Sequence, residues 1–245
     1  MATRDHDLEF GDNDERRYSY GFDHIVRDYL LRRFRSTMDL AGETLELGSY
    51  RGDMTGQLLD YFAHVDVVEA SSLLANEVRD RFPGRVHVTE SLFEEFAPQK
   101  RYQNVFLIHT LEHLEDPIST LRRVSGWLAD DGHLFIAVPN ANALSRQIAV
   151  QMGLIRSNAA VTPGEFEHGH RRTYALDTLL GDIVESGLSV ADFGGVLVKT
   201  LANFQFDQAL GLGVVSREYI AACDRLAVIM PDLAASVYAV CTRDL

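Results

Sequence analysis

Two glycines and two acids, placed at the ends of successive apolar runs, form the first pattern in this chain that predicts chemistry. The run TLEL contains Glu46 and leads directly to Gly48, with Gly52 shortly after it. Such a pattern predicts a β-strand that passes into a helix through a tight loop, the place where α/β proteins hold a nucleotide-like ligand. Glu69 closes the next apolar run. An acid there can accept hydrogen bonds from both hydroxyls of a ribose.

Two histidines lie where a reaction that releases a proton would need titratable groups. His109 and His113 bracket the end of the run QNVFLIH, and histidine can accept a proton from a hydroxyl or an ammonium near neutral pH. The alternative for His113 is a hydrogen bond that only fixes its loop. A metal site of His109, His113 and Glu112 is conceivable, but no spacing requires a metal ion and none is predicted.

A polar loop further along the chain, TPGEFEHGHRRTY, offers groups for a second ligand. The candidates for substrate contact are His168, His170, Arg171 and Arg172. The two adjacent arginines would suit a carboxylate or a phosphate on that ligand. A solvated loop without a ligand is the alternative.

Alternating strand and helix patterns must position these residues. The predicted strands lie at 44–48, 65–70, 85–90, 103–109, 133–139, 188–193 and 236–242. Helices are expected between them, including one over about 117–129 that is followed by a turn at 130–132. The strict alternation up to Pro139 implies right-handed crossovers and a mainly parallel sheet.

The chain is predicted to form one alternating α/β domain over residues 41–245, preceded by a segment and a helix over residues 1–40. Tyr18 and Tyr20 precede that helix, where they can act in a lid over a pocket or simply pack. Insertions at about 140–172 and 194–232 are expected above the C-terminal ends of the strands, where they would shape a substrate pocket.

Composition excludes several classes of protein. The formal net charge of −13 leaves no basic surplus to neutralise phosphates, which argues against a nucleic-acid partner. The two cysteines, Cys223 and Cys241, are expected to be buried, reduced thiols. No secretory signal and no membrane-spanning apolar run are found, so a cytoplasmic location without membrane contact is expected. The oligomeric state stays open, a homodimer being one possibility.

With the later stretches HTLEHLEDP and LADDGHLFIAVPN, the chain resembles the class I S-adenosylmethionine-dependent methyltransferases. The similar branch acts on small molecules and includes ubiquinone-type O-methyltransferases and the N- and O-methyltransferases of sugars and natural products. Leu45–Asn140 carries the close resemblance, and Glu46, Gly48 and Gly52 match the family's strand-one motif. The resemblance implies S-adenosylmethionine as cofactor. It also implies a Rossmann-like α/β fold with seven mainly parallel strands, helices on both faces, an antiparallel last strand and helical insertions that cap the substrate side.

The resemblance further implies roles for individual residues. Those expected at the cofactor are Glu46 and Gly52 of the strand-one motif, Gly48, Ser49 and Tyr50 facing the methionine moiety, Glu69 at the ribose with Ala70 and Ser71 beside it, Ser91, Leu92 and Phe93 at the adenine, and His109, Thr110 and Leu111 under the sulfonium. Two positions depart from the family. Tyr50 stands where a glycine is frequent, so the loop is bulkier, and Ser91 stands where many relatives have Asp.

The function expected from the resemblance is methyl transfer by in-line displacement to an oxygen or nitrogen atom of a small polar metabolite, such as a sugar, sugar nucleotide or natural-product precursor. The candidate catalytic residues are His113, His109, Tyr18 and Tyr20. A methyltransferase of macromolecules is an alternative, although the negative charge disfavours RNA. A non-catalytic cofactor-binding or regulatory protein on the same fold is the other alternative, because the motif reports cofactor binding and not turnover.

Overall fold

One sheet of seven strands organises the part of the chain, residues 21–244, that the computed structural model describes. The strands are β1 Thr44–Leu47, β2 Val65–Glu69, β3 Val86–Glu90, β4 Tyr102–Ile108, β5 Leu128–Pro139, β6 Leu188–Val198 and β7 Ala234–Arg243. Their order across the sheet is β3-β2-β1-β4-β5-β7-β6. Strand β7 runs antiparallel to both of its neighbours and the other pairs are parallel. The predicted fold class is confirmed.

Helices cover both faces of this sheet. They are α1 Gly21–Phe34, α2 Asp53–Leu58, α3 Ser72–Arg81, α4 Pro117–Ser125, α5 Leu144–Gln151, α6 Pro163–Glu167, α7 Leu176–Glu185, α8 Asn203–Gly211 and α9 Arg217–Ile229, with 3₁₀ turns at Leu111–His113 and Pro231–Leu233. Residues of α1, α2, α3, α8 and α9 join the core on one face, and residues of α4 and α7 join the core on the other. Every residue of β1 and β2 is buried, as expected of parallel strands covered on two sides.

The carboxyl ends of β1 to β6 lie along one edge of the sheet, because β6 and β5 are both antiparallel to β7. The 3₁₀ turn at Leu111–His113 follows β4 at this edge, and α5 and α6 follow β5 there. Helices α8 and α9 leave the same edge after β6. Polar residues that follow different strands are therefore brought together on this side.

Two sequence predictions about β5 were wrong. Helix α4 ends at Ser125, and β5 already begins at Leu128, where it pairs with Tyr102. Residues 130–132, predicted as a turn, are an irregular section inside the strand, after which pairing resumes between Asn104 and His133. Gly132 allows this, because a Cβ there would lie 2.5 Å from the carbonyl oxygen of Tyr102.

Later parts of the chain also differ from the prediction. Strand β6 continues to Val198 beyond the predicted end at residue 193, so Gly194 and Gly195 belong to the sheet and not to an insertion. The polar loop after β5 contains the short helix α6, which a capping box between Thr162 and Glu165 begins. Cys223 and Cys241 are buried free thiols, as predicted. Among residues 21–244, no helix has the length and hydropathy needed to cross a bilayer.

Candidate active site

The loop after β1 makes a tight turn that depends on its glycines. Gly48 and Gly52 have φ angles of 78° and 81°, values that side chains disfavour. A Cβ at Gly48 would lie 2.8 Å from the side chain of Thr110, the residue that follows the end of β4. The main chain of β1 and the end of β4 therefore approach more closely than any other residue at position 48 would allow. Tyr50, the position where the sequence departs from the family, also has a positive φ of 50°.

Glu69 lies at the end of β2 and holds this loop. One carboxylate oxygen accepts hydrogen bonds of 3.0 Å from the main-chain amides of Ser49 and Tyr50. The other accepts a hydrogen bond of 3.1 Å from the amide of Ser71, at the start of α3. The structure thus brings together Glu69, Ser49, Tyr50 and Ser71, the residues that the sequence placed at the methionine and ribose of the cofactor.

Glu46, in β1, has one satisfied and one unsatisfied oxygen. Its Oε2 accepts a hydrogen bond of 2.6 Å from Thr55 Oγ1, while Oε1 is buried with no hydrogen-bond partner among the described residues. Burial raises the pKa of this carboxyl to about 8, although the hydrogen bond from Thr55 and the charge of Arg27 act to lower it. A group that can bond to Oε1 would complete the site.

Arg27, on α1, is the complementary group that sequence reasoning missed. Its Nη1 lies 3.9 Å from Asp53 Oδ2 and is buried without a hydrogen-bond partner in the described part of the chain. Its charge acts on both Glu46 and His109, which places the guanidinium near the ends of β1 and β4. The available signal was its position next to Val26 on the buried side of the amphipathic helix.

His109 follows β4 in a strained conformation, with a φ of 52°. Its Nε2 lies 3.0 Å from the hydroxyl oxygen of Ser236 on β7. Burial lowers the pKa of the imidazole to about 3, and the positive charges of Arg27 and His170 contribute. The ring is therefore neutral near pH 7, and it is a weak proton acceptor.

Glu112, His113 and His170 form a compact group, which we call the Glu–His–His cluster. The amide of Arg171 donates a hydrogen bond of 3.0 Å to the carbonyl of Glu112, which joins the polar loop to the turn after β4. The rings of His113 and His170 meet edge to face with centroids 4.6 Å apart. One possible ligand atom from each of the three residues lies within 4.8 Å of the others.

The cluster contains a carboxyl group in an unusual environment. The side chain of Glu112 is almost completely buried, and neither of its oxygens has a hydrogen-bond partner among residues 21–244. Burial raises the pKa of Glu112 to about 8 and lowers that of His170 to about 4. Sequence reasoning considered Glu112 with His109 and His113, whereas the structure groups it with His113 and His170.

The two arginines of the polar loop have different environments. Arg172 Nη2 donates hydrogen bonds to the carbonyls of Leu114 and Glu115, at 2.8 and 2.9 Å, so this side chain fixes the loop. Arg171 is exposed and His168 is half-buried. Of the two arginines, Arg171 is therefore the one accessible to a ligand.

The predicted adenine residues follow β3. The amide of Ser91 donates a hydrogen bond of 3.1 Å to the carbonyl of Glu69, which fixes this segment beside the ribose acid. Phe93 is buried and Leu92 is exposed, so Leu92 can be reached from solvent. Tyr18 and Tyr20, the predicted lid residues, lie outside the described residues.

The sequence profile of the methyltransferase domain family matches residues 17–192. The chain belongs to this methyltransferase family. Its cofactor is S-adenosylmethionine, as the sequence predicted. No curated protein sequence matches the chain.

Solved structures of other methyltransferases share the fold of this methyltransferase. A possible histamine N-methyltransferase from Thermotoga maritima is 15% identical, with a TM-score of 0.65 over 98% of this chain and 99% of that one. The N-methyltransferase NodS from Bradyrhizobium japonicum, in complex with S-adenosyl-L-homocysteine, is 13% identical, with a TM-score of 0.59 over 97% and 95%. Coclaurine N-methyltransferase is 14% identical, with a TM-score of 0.58 over 89% and 71%. At these identities the likeness concerns the fold.

Proposed function

We propose that this methyltransferase transfers a methyl group to an oxygen or nitrogen atom of a small polar metabolite, such as a sugar, a sugar nucleotide or a natural-product precursor. The observation that carries the donor side of this proposal is a carboxyl oxygen and a guanidinium nitrogen near the loop after β1, Glu46 Oε1 and Arg27 Nη1, both buried without a hydrogen-bond partner in the described part of the chain. An α-amino acid carries an ammonium and a carboxylate a short distance apart. The methionine end of S-adenosylmethionine therefore complements both atoms.

The remaining parts of the donor site also fit this cofactor. Glu69 presents a buried carboxylate at the end of the next strand, where a ribose diol can replace or share the amide hydrogen bonds that it now accepts. Gly48 lets the main chain after β1 lie against Thr110, since a Cβ at this position would be only 2.8 Å from the Thr110 side chain. Ser91, Leu92 and Phe93 are the proposed adenine contacts.

S-adenosylmethionine, when bound, supplies an electrophilic methyl group on a sulfonium. The protein then has to orient the acceptor atom, exclude water and receive the proton that a hydroxyl or an ammonium loses. Neutral His109, fixed by Ser236, suits a role in shaping the cofactor site better than that of a base. We assign the acceptor side to the Glu–His–His cluster, and His113 stays the proposed catalytic residue because its ring lies against that of His170 in this cluster.

The acceptor is proposed to enter between this cluster and the polar loop. Arg171 and His168 would face an anionic or hydroxyl-rich part of it, and Tyr18 and Tyr20 would close over it. The N-methyltransferases among the similar structures make an amine one candidate. The hydroxyl groups of sugars are the other, and the cluster of buried polar groups suits either.

Calorimetry with two ligands tests the donor site. Wild-type protein should bind S-adenosylmethionine, and also 5′-methylthioadenosine, which has the nucleoside but lacks the amino acid. Glu69→Gln should weaken binding of both ligands by about 10- to 100-fold, because hydrogen bonds to a charged group are lost. Arg27→Met should weaken the binding of S-adenosylmethionine to a similar extent and leave the affinity for 5′-methylthioadenosine unchanged.

Glu90→Gln is the matched control, since Glu90 pairs with Glu69 on the neighbouring strand but is exposed. Absence of donor binding, or unchanged affinity in Glu69→Gln, would refute the assignment of this site. The transfer itself is tested by screening sugar, phenol and amine acceptors for release of S-adenosyl-L-homocysteine. Donor binding without release on any acceptor would instead favour the non-catalytic alternative.

A further inference from the structure

Glu112 carries a buried carboxyl group that the described residues do not satisfy. Its side chain is 2% exposed, and neither oxygen has a hydrogen-bond partner among residues 21–244. The nearest cationic candidate is His113, whose Nε2 is 3.9 Å from Oε1, beyond hydrogen-bond distance. Buried carboxylates in proteins are normally paired through hydrogen bonds or coordinate a metal ion. An ionised Glu112 at this position therefore needs a partner.

Two imidazoles converge on this carboxylate from different parts of the chain. His113 is its neighbour in the turn after β4, and His170 is brought in by the hydrogen bond between the Arg171 amide and the Glu112 carbonyl. One carboxylate and two imidazoles form a ligand set that binds zinc and other divalent transition metals in proteins. Histidine nitrogens would contribute no charge, so Glu112 would supply the single negative charge of the site.

The distances are compatible with a metal ion after small side-chain rotations. The three ligand atoms lie within 4.8 Å of one another. In a tetrahedral site with bonds of about 2.1 Å, ligand atoms are about 3.4 Å apart. Rotation of these side chains would have to close at most about 1.4 Å, the difference between those two separations. This is a modest change for Glu112, whose two oxygens accept no hydrogen bond from the described residues.

We infer that Glu112, His113 and His170 form a binding site for one divalent transition-metal ion of the Zn²⁺ type. The site uses three protein ligands, which leaves a coordination position open. It differs from the set considered in the sequence, because His109 is directed to Ser236 instead.

The neighbouring charges permit such an ion. The guanidinium of Arg146 is paired with Glu165 at 2.5 Å, and that of Arg172 donates to two main-chain carbonyls. These groups of Arg146 and Arg172 are therefore engaged elsewhere, whereas Arg172 Nε is buried without a hydrogen-bond partner among the described residues. A cavity of about 20 Å³ borders Glu112 and His170, which is enough for one water molecule as a further ligand.

The chemical consequence rests on the proposed function, whereas binding of the ion does not. A divalent cation lowers the pKa of a bound hydroxyl or water. An acceptor hydroxyl at the open position would thereby release its proton to solvent water more easily, and its oxygen would take the methyl group as the bond between that methyl group and the sulfonium sulfur breaks. The ion would favour transfer to oxygen, because an amine acceptor needs no such activation once it is neutral.

Cobalt provides a spectroscopic probe of this site. Untagged full-length protein, stripped with EDTA and dialysed, is titrated with Co²⁺ and followed by its visible d–d absorption, with Zn²⁺ calorimetry in parallel. We expect one ion per chain. Glu112→Gln and His170→Gln should each lower the affinity by about a hundredfold or more, since even outer-shell changes cost 10- to 100-fold.

The matched controls are Glu115→Gln and His87→Gln, exposed residues of the same types, which should bind Co²⁺ like the wild type. S-adenosylmethionine calorimetry on each variant reports whether the fold and the donor site are intact. Wild-type protein that binds donor but no stoichiometric Co²⁺ would overturn the inference and leave the proposed function standing. If Glu112→Gln and His170→Gln kept donor binding and bound Co²⁺ as tightly as the wild type, the inference would likewise be overturned.

Discussion

The carboxylate of Asp207 accepts a hydrogen bond of 2.7 Å from the main-chain amide of Phe22, 185 residues earlier in the chain. Its other oxygen accepts one of 2.8 Å from the amide of Gly21. The first amides of a helix have no partner within the helix and favour an anion. Asp207 therefore holds the start of α1 on the insertion helix α8. Since α1 carries Arg27, the insertion also fixes the helix that supplies this residue to the proposed donor site.

Removal of this contact should loosen α1. Asp207→Ala is expected to lower the free energy of unfolding by about 1–2 kcal/mol, the usual cost of losing a helix-capping side chain. It should also weaken S-adenosylmethionine binding more than 5′-methylthioadenosine binding, because Arg27 would be less firmly placed. Asp207→Asn, which keeps one acceptor oxygen, should have a smaller effect.

Gln208→Ala, at a neighbouring position on α8, is the control. Urea denaturation measures the free energy of unfolding, and calorimetry measures the affinity for the two ligands. Equal stability of Asp207→Ala and the control would contradict the prediction.

Glu46 should make the stability of the free protein depend on pH. Its pKa rises from an ordinary value of 4.5 to about 8 on folding. Between these values the unfolded chain has released the proton while the folded chain retains it, so the folded state becomes less favourable as pH rises. The penalty should reach on the order of 3–5 kcal/mol above pH 8 and vanish below pH 4.5.

The measurement compares wild type with Glu46→Gln, whose amide cannot ionise. The stability advantage of Glu46→Gln over the wild type should grow between pH 5 and pH 8 in urea denaturation. Glu112 contributes a dependence of the same sign, so only the difference between these two proteins is informative. Glu94→Gln, at an exposed position, should show no such trend. A constant difference across this range would mean that Glu46 is ionised in the free protein.

The fold was predictable because the signals that specify it are local. Apolar runs of strand length alternate with helical periodicity up to Pro139, and such alternation permits few topologies. The end of β6 was missed because Gly194 and Gly195 are typical of loops. In the structure they allow close packing: a Cβ at Gly195 would lie 2.5 Å from that of Ala234. This contact is made by residues distant in sequence, and no local pattern reports it.

The donor site could be predicted further than the acceptor site. Glu46, Gly48 and Glu69 each lie at or next to the carboxyl end of β1 or β2. Because these strands are neighbours in the sheet, the topology alone brings the three residues together. Arg27 and Glu112 depend on which way a side chain faces after helices and loops have packed. The pairing of His113 with His170 depends on the hydrogen bond between the Arg171 amide and the Glu112 carbonyl. Such contacts are set by tertiary structure.

The lid role of Tyr18 and Tyr20 remains a prediction from the sequence. Tyr18→Phe and Tyr20→Phe should reduce kcat more than they change the affinity for S-adenosylmethionine, because hydroxyl groups over the acceptor act on transfer and not on donor binding. Steady-state kinetics with an acceptor found by screening, together with calorimetry, separates the two effects. Tyr61→Phe, a half-buried tyrosine beside α2, is the control. Parent-level kcat in both lid variants would leave these tyrosines as packing residues.

Among the residues of this loop, Gly48 should tolerate substitution least, for two separable reasons. Alanine at this position would be strained by the φ of 78° and would also place a Cβ 2.8 Å from Thr110. Gly84→Ala is a matched control, because Gly84 has a similar φ of 74° but nothing within 4 Å of an added methyl group. The control should lose about 1 kcal/mol of unfolding free energy from backbone strain alone. Gly48→Ala should lose more, and its excess over the control measures the contact with Thr110.

Thr110→Ala identifies the origin of that excess. It removes both atoms that lie 2.8 Å from the new methyl group and leaves Cβ at 3.5 Å, an ordinary contact distance. In the double variant with Gly48→Ala, the excess over Gly84→Ala should therefore largely disappear, while the cost of the positive φ remains. The coupling free energy is obtained from urea denaturation of the two single variants, the double variant and the wild type. A coupling near zero would show that the loop moves away from β4, and that Gly48 is needed for its φ alone.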